Sequence, residues 1–259
     1  MPEESVILKD GADMPGAPED FLSIVIPAYN EAENIRFVVQ EALDILRGLT
    51  SRFEIIVVDD ASTDETGAIL AELSGEIPQL KVIRNPQNIG CHPSSLVGYA
   101  AAQGDYCYFI PADRQIPAAE ITKFLACAKA GHDVVYSWRQ HREDPPHRLW
   151  ISGFYNLLVR WLFGIRVHDV DSSELLTGRA VAQILPRLRS NSAFITVEIL
   201  LEAQRQGLRI GEVIIDHRPR LAGKARGLSF PEVSRVPANF FRVLFWFWRQ
   251  KVKGYPMQG

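Results

Sequence analysis

The sequence predicts an α/β fold, a mostly parallel sheet with helices on both faces, followed by C-terminal amphipathic helices suited to an interface. Two observations carry this prediction. Between residues 21 and 138, short apolar runs rich in Val and Ile alternate in strict turn with helical stretches. That rhythm requires crossover connections, hence parallel strands buried on both faces. The unusual polar residues then fall at the carboxyl ends of those runs, the edge where open α/β sheets bind ligands. With 259 residues and 47% apolar content, the chain can fill one large core or two modest ones.

The elements follow in order. Residues 1–20, MPEESVILKDGADMPGAPED, are acidic and rich in Pro and Gly, without the basic start and apolar stretch of a signal peptide, and read as a mobile tail. FLSIVIP (21–27) is the first strand, with EAENIRFVVQEALDILRGL as its helix. FEIIVVDD (53–60) precedes DETGAILAELSG, LKVIR (80–84) precedes PSSLVGYAAAQG, YCYFI (106–110) precedes AAEITKFLACAKAG, and DVVYSW (133–138) is a fifth strand.

The rhythm changes after residue 140. HREDPPHR is a polar loop, and LWISGFYNLLVRWLFGI (149–165) is an apolar, aromatic segment interrupted by Arg160. A polar turn, VHDVDSSELL, leads to a helix, AFITVEILLEAQRQG, ending at Gly207, and to a strand, RIGEVIIDH. The basic loop RPRLAGKARG and the stretch PANFFRVLFWFWRQKVKG close the chain. The run FFRVLFWFW is far shorter than the roughly 20 apolar residues that span a bilayer. Flanked by Arg242, Arg249, Lys251 and Lys253, it suits a membrane surface, as does 149–165; a core or dimer helix is the alternative. The expected organisation is a tail over 1–20, a catalytic domain over 21–230 and an amphipathic helix over 231–259.

Composition narrows the function. Cys91, Cys107 and Cys127 are odd in number and lack CxxC spacing, which argues against a disulfide framework or structural zinc and suits a reducing compartment. The net charge of -3 is unevenly spread: residues 1–80 carry 17 acidic and 4 basic side chains, residues 205–259 carry 3 acidic and 11 basic. The basic end is where an anionic partner belongs. No helix-turn-helix, zinc-finger or RNP-like pattern points to nucleic acid. GxGxxG, P-loop, HExxH and GxSxG motifs are absent, which argues against hydride transfer at a Rossmann site, NTP hydrolysis and serine hydrolysis. Acidic residues at strand ends facing a distant basic loop suit a nucleotide diphosphate with a metal ion.

IPAYNEAENI followed by EIIVVDDASTDET, then NIG, GDY and AD.Q, resembles the family-2 glycosyltransferases of glycosyltransferase-A fold, and among them the dolichol- or polyprenol-phosphate mannosyltransferase branch. The resemblance covers residues 21–230. It implies that Pro27, Tyr29 and Glu31 line the nucleotide pocket and that Val58 and Asp60 contact base and ribose. Asp60 and Ser62 also suit a turn that caps the helix starting near Asp64.

Ala112, Asp113 and Gln115 match the metal and diphosphate corner, with Mg2+ or Mn2+ as the implied cofactor held by Asp113 and Gln115. If the stretch is extended, side chains 113 and 115 face one way and Arg114 the other. Pro111 stands where relatives carry a first aspartate. Magnesium takes only one or two carboxylates, so Asp113 suffices, with weaker affinity expected.

YSWR resembles the branch's GTR-like segment and places Arg139 near the phosphates. Arg148 matches a basic residue that helps bind the acceptor phosphate, and Arg220, Lys224 and Arg226 match a basic loop that folds over the donor diphosphate. Asp169 matches an aspartate of the lipid-phosphate branch, whereas Leu175 stands where that branch carries an arginine.

The resemblance implies an inverting transfer from a nucleotide-sugar donor to a lipid phosphate, on the cytoplasmic face of a membrane. A phosphate acceptor needs no base, because its second pKa is about 6. A hydroxyl acceptor would need one, with Asp169, Asp171 or Glu174 as candidates. An inactive nucleotide-sugar-binding module is a third reading. Glu198 resembles an acidic position of the family, and a solvent-facing helical glutamate reads equally well.

Overall fold

The computed structural model describes residues 19–140 and 146–218 together with Phe245, and over 146–151 the backbone alone. The N-terminal tail, the basic loop with Arg220, Lys224 and Arg226, and the C-terminal amphipathic segment lie outside the described residues.

The elements run β1 (Leu22–Ala28), α1 (Ile35–Leu49), β2 (Phe53–Asp59), α2 (Thr66–Glu76), β3 (Leu80–Arg84), α3 (Cys91–Ala101), β4 (Tyr106–Phe109), α4 (Ile121–Lys129), β5 (Val134–Trp138), α5 (Pro146–Phe163), β6 (Glu174–Thr177), α6 (Gly178–Ile184), α7 (Ile195–Arg205) and β7 (Ile210–Ile214). They form one seven-stranded sheet in the order β3-β2-β1-β4-β6-β5-β7. The strands expected from the alternating rhythm are present, and all their mutual pairings are parallel.

One expectation fails. The second half of DVDSSELL is strand β6 rather than a turn, and it runs antiparallel between β4 and β5. It is four residues long, opens on a glutamate and follows two serines, so it lacks the β-branched run that marks the other strands. Its side chains are buried nonetheless, Glu174 at 1% exposure. Thr177 closes β6 and caps α6, its hydroxyl accepting from Ala180 N at 3.2 Å.

Alternate residues of the strands feed two cores, one on each face. Ile24 and Ile26 pack with α1, α2 and α4; Val25 packs with α5, α6 and α7. Helix α1 buries Ile35, Val38, Val39, Ala42, Leu43 and Leu46, a helical stripe, and leaves Arg36, Gln40, Asp44 and Arg47 in solvent. Helix α3 lies directly on β1, since a Cβ on Gly98 would meet Val25 Cγ1 at 2.3 Å. Pro27 is tolerated in a central strand because of register. Val25 O accepts from Ile110 N, and alternation turns the position of Pro27 the same way, beyond the last β4 pairing at Phe109. No ladder bond is lost there.

Helix α5 is apolar on two sides. Val159 and Phe163 are buried, while Phe154, Leu157 and Trp161 are 68%, 64% and 78% exposed along the opposite side. No helix among the described residues is long and apolar enough to cross a membrane.

Candidate active site at the carboxyl edge of the sheet

Three non-glycine residues have positive φ among the described residues: Asn30 at 54°, Ala61 at 60° and Arg114 at 63°. They occupy the loops after β1, β2 and β4, side by side at the carboxyl edge. Each such conformation costs on the order of 1–3 kcal/mol and persists only where surrounding contacts impose it. The concentration of strain marks this edge as the functional one.

The first two loops are tied to each other. Asn30 N donates to Ser62 Oγ at 2.9 Å, and Asn30 Oδ1 accepts from Thr63 N at 2.6 Å and Asp64 N at 3.2 Å. Glu31 N donates to Thr66 Oγ1, and Asn34 Nδ2 donates to Glu31 Oε2 at 2.7 Å. The expected pocket residues Pro27 and Val58 are buried register partners in β1 and β2, with Tyr29 and Glu31 partly exposed just beyond.

The twin aspartates divide their work. Asp59 Oδ1 accepts from Ser62 N at 2.8 Å, and Asp59 Oδ2 accepts from Arg84 Nη1 at 2.5 Å. The cap-like turn expected of Asp60 is therefore made by Asp59, because the chain reverses at Ala61. Asp60, 2% exposed, accepts instead from Asn85 Nδ2 and Ile89 N through Oδ1 and from Gly90 N through Oδ2. Its carboxylate thus shapes the loop leading into α3.

The corner after β4 departs from the expected extension. Residues 112–116 form a turn, with Arg114 in the left-handed region, so strict alternation of side chains does not apply. Gln115 N donates to Asp113 Oδ1 at 3.1 Å, and Gln115 O accepts from Arg218 N at 2.8 Å. The Arg114 guanidinium lies 4.4 Å from the centroid of the Phe37 ring on α1. Such a contact contributes about 0.5–1 kcal/mol at an exposed site, less than the strain, so the hydrogen bonds must supply the rest.

Ala112 is buried and Asp113 partly exposed. Among the described residues no group of three or more His, Cys, Asp or Glu side chains is arranged to hold a metal. Asp113 is the one carboxylate of this turn, a donor set that fits an ion completed by phosphate oxygens and water.

The β5–β6 side gathers the remaining candidates. Arg139 Nε donates to Asp169 Oδ2 at 2.7 Å and Arg139 Nη2 to Asp169 Oδ1 at 3.2 Å, with a further bond from Arg139 to the Asp171 carbonyl. His92 Nε2 lies 3.0 Å from Asp171 Oδ1. Glu174 accepts from Tyr99 Oη at 2.8 Å. Burial pushes the Glu174 carboxyl up to about 7 despite the opposing pull of His92, and burial beside Glu174 drives the Tyr99 hydroxyl well above its ordinary value.

Glu198 is not solvent-facing. It is 3% exposed and accepts backbone N–H bonds from Arg189 and Ser190, because α7 is buried on every side from Ile195 to Ala203. Arg148 falls within α5, but its side chain is outside the described set.

The sequence marked Asp59 at the end of the second strand but gave it no role, and Asn30, Arg84 and the His92–Tyr99 face of α3 were not expected. The signal for Asn30 and Asp59 was present in AYNE and VVDDAS, since Asn and Asp favour tight turns and accept backbone N–H bonds. Arg84 and α3 carried none.

A model of glycosyl transferase family 2 matches residues 23–177, more than half of the chain. The undecaprenyl-phosphate 4-deoxy-4-formamido-L-arabinose transferase of Pseudomonas savastanoi pv. phaseolicola is 32% identical over 212 residues, 81% of this chain and 61% of the relative. The transferase of the same name from Pseudomonas paraeruginosa is 34% identical over 183 residues, 70% of this chain and 53% of the relative. The chain therefore spans less than two thirds of the length of these curated relatives.

Among solved structures, glucosyl-3-phosphoglycerate synthase from Mycobacterium tuberculosis in complex with uridine-diphosphate superposes with a TM-score of 0.64 at 21% identity, over 88% of this chain and 80% of that one. S. aureus TarS 1-349 in complex with UDP-GlcNAc gives 0.58 at 20% identity, over 81% and 61%. At such identities the likeness concerns the fold, which is the α/β glycosyltransferase-A arrangement expected from the sequence. The family model and the Pseudomonas relatives together establish that the chain belongs to glycosyl transferase family 2.

Proposed function

We propose that the protein is an inverting glycosyltransferase that moves a sugar from a nucleotide-diphosphate sugar to a polyprenyl phosphate at the cytoplasmic surface of a membrane. The observation that carries this is the row of strained loops after β1, β2 and β4 at the carboxyl edge of the sheet, the last of them carrying Asp113, in a chain whose relatives are named for undecaprenyl phosphate.

In this reading Pro27, Tyr29, Glu31, Val58 and Asp60 hold the nucleoside end of the donor, and Ala112, Asp113 and Gln115 hold its diphosphate. Asp113 and Gln115 would hold Mg2+ or Mn2+, which supplies positive charge against the leaving diphosphate. Arg218, whose backbone N–H meets Gln115 O, starts the basic stretch that continues to Arg220, Lys224 and Arg226, the cations assigned to the same phosphates. A phosphate oxygen of the acceptor attacks the anomeric carbon in line. The bond from that carbon to the diphosphate oxygen breaks, and the nucleoside diphosphate leaves with the electron pair.

No proton needs removing, and the geometry agrees with that economy. Each of the three candidate bases is engaged, Asp169 by Arg139, Asp171 by His92 and Glu174 by Tyr99. Asp169 then fixes Arg139, which is assigned to the donor phosphates, and Arg148 is assigned to the acceptor phosphate. The exposed apolar row Phe154, Leu157 and Trp161 on α5, with Arg160 beside it, is the surface we assign to the membrane.

The test is sugar transfer by the full chain from a panel of labelled nucleotide sugars to undecaprenyl phosphate or to undecaprenol. Product with the phosphate alone is expected. Product with undecaprenol would assign a hydroxyl acceptor, and no transfer from any donor, with donor binding intact, would leave the binding-module reading in its place.

A further inference from the structure

We propose that Phe37 of α1 is a positioning residue for the reaction: its ring, stacked under Arg114, holds the Asp113–Gln115 turn in the conformation that receives the metal and diphosphate of the donor. The inference rests on the donor reading given above. It adds a residue that neither touches the donor nor belongs to any motif of the chain.

An aromatic ring stands exposed in a polar row of α1. Phe37 is 57% exposed on a helix face otherwise lined by Arg36, Gln40, Asp44 and Arg47. Arg36 pairs with Glu72 of α2, and Gln40 donates to Asp44 on the same face. An isolated exposed Phe needs no explanation by itself, but this one is covered by a guanidinium 4.4 Å from its centroid.

That guanidinium belongs to a residue in a conformation it would not choose. Arg114 has φ 63°, in the left-handed region that Gly and Asn tolerate and a long side chain does not favour. An unsupported Arg would relax toward negative φ and rotate the peptide groups on both sides of it. Those peptides carry Asp113 and Gln115.

Two hydrogen bonds define the turn, Gln115 N to Asp113 Oδ1 and Arg218 N to Gln115 O. The second is reinforced from the same helix, because Arg218 Nη1 lies 3.4 Å from Glu41 Oε1, one helical turn beyond Phe37. One face of α1 therefore grips the corner at two points, through Arg114 and through Arg218. The grip matters because the turn supplies one carboxylate. With Pro111 in place of an acid, no second carboxylate on that strand end compensates if Asp113 drifts.

The test uses the full chain, with UDP and GDP as probes, titrated calorimetrically with and without manganese. In Phe37→Ala and in Arg114→Ala, the manganese-dependent gain in nucleotide affinity is expected to fall about tenfold, with metal-free affinity and melting temperature close to wild type. The double variant is expected to be no worse than either single one, because both remove the same contact. Phe37→Trp should retain the wild-type gain, and Phe37→Leu, apolar but without a π face, should lose it.

Equal losses with and without manganese, additive losses in the double variant, or a wild-type response in Phe37→Leu would each overturn the role of the stacked ring. A wild-type chain whose affinity for both nucleotides ignores manganese would overturn the metal–diphosphate reading itself, and the positioning role with it. If wild type shows the gain and Phe37→Ala keeps it, only the positioning role falls.

Discussion

On the β1–β2–β3 side of the sheet, buried carboxylates are held largely by the backbone. Asp59 and Asp60 accept from the N–H groups of Ser62, Ile89 and Gly90, and Arg84 and Asn85 complete the set. On the β6–β5 side the buried carboxylates are held by other side chains, Asp169 by Arg139 and Glu174 by Tyr99, and the exposed Asp171 pairs with His92. Backbone donors stay fixed while the strands stay paired, and they cannot lose a proton at ordinary pH. Side-chain partners can be removed one at a time, and some titrate. The first side is thus built as a rigid platform, whereas the second is sensitive to substitution and to pH.

The largest expected effect comes from breaking the pair that most distinguishes the second side. Arg139→Met leaves Asp169, whose side chain is 5% exposed, as a buried charge without its guanidinium, and should cost about 4 kcal/mol in a denaturant melt at neutral pH. A loss below about 1 kcal/mol would mean that the loop relaxes and lets water reach Asp169.

Next in size is a pH effect. Glu174 in the folded chain is raised from 4.5 to about 7, so between those values the native state keeps a proton that the unfolded chain has released. Stability from this group is full below pH 4.5, falls as pH rises toward 7, and levels off above it, a loss of roughly 3 kcal/mol. Glu174→Gln should flatten the stability curve across that window when urea midpoints at pH 5 and pH 7.5 are compared. An unchanged slope would assign the pH dependence to other groups, and the contrast between the two sides would lose its titratable member.

The smallest effect probes the platform. Ala61 at φ 60° is held by the loop that Asp59 organises. Ala61→Gly should raise stability by about 1 kcal/mol by relieving the left-handed strain, with donor binding unchanged. A loss of nucleotide affinity in that variant would show that the strain itself tunes the loop.

The two sides also differed in how readily the sequence disclosed them. The platform was legible because its chemistry is local: IPAYNE and VVDDASTDET place strand, turn and acid within ten residues, and β-branched runs before acids mark strand ends unambiguously. Strand β6 was hidden because its burial is decided by β4 and β5 on either side, not by its own Ser-Ser-Glu-Leu-Leu pattern. Arg139 and Asp169 each stood out as candidates, but their pairing across loops that join distant strands left no local trace. The burial of Glu198 left no local sign either, since Glu198 and Glu202 stand one turn apart like a solvated stripe, and it is tertiary packing that buries α7 on every side from Ile195 to Ala203. The Phe37–Arg114 contact had no sequence signal, because an exposed Phe on a helix and an Arg in a turn are each ordinary.

In the proposed function one carboxylate, Asp113, holds an ion that the reaction requires. That requirement is tested most directly by sugar transfer to undecaprenyl phosphate before chelation, after chelation, and after manganese is restored, with wild type and Asp113→Ala side by side. Complete loss on chelation is expected, with full return on manganese for wild type and no return for Asp113→Ala. Strong transfer that persists in the chelated wild type would contradict it, and would mean that cations of the chain carry the diphosphate charge without a metal.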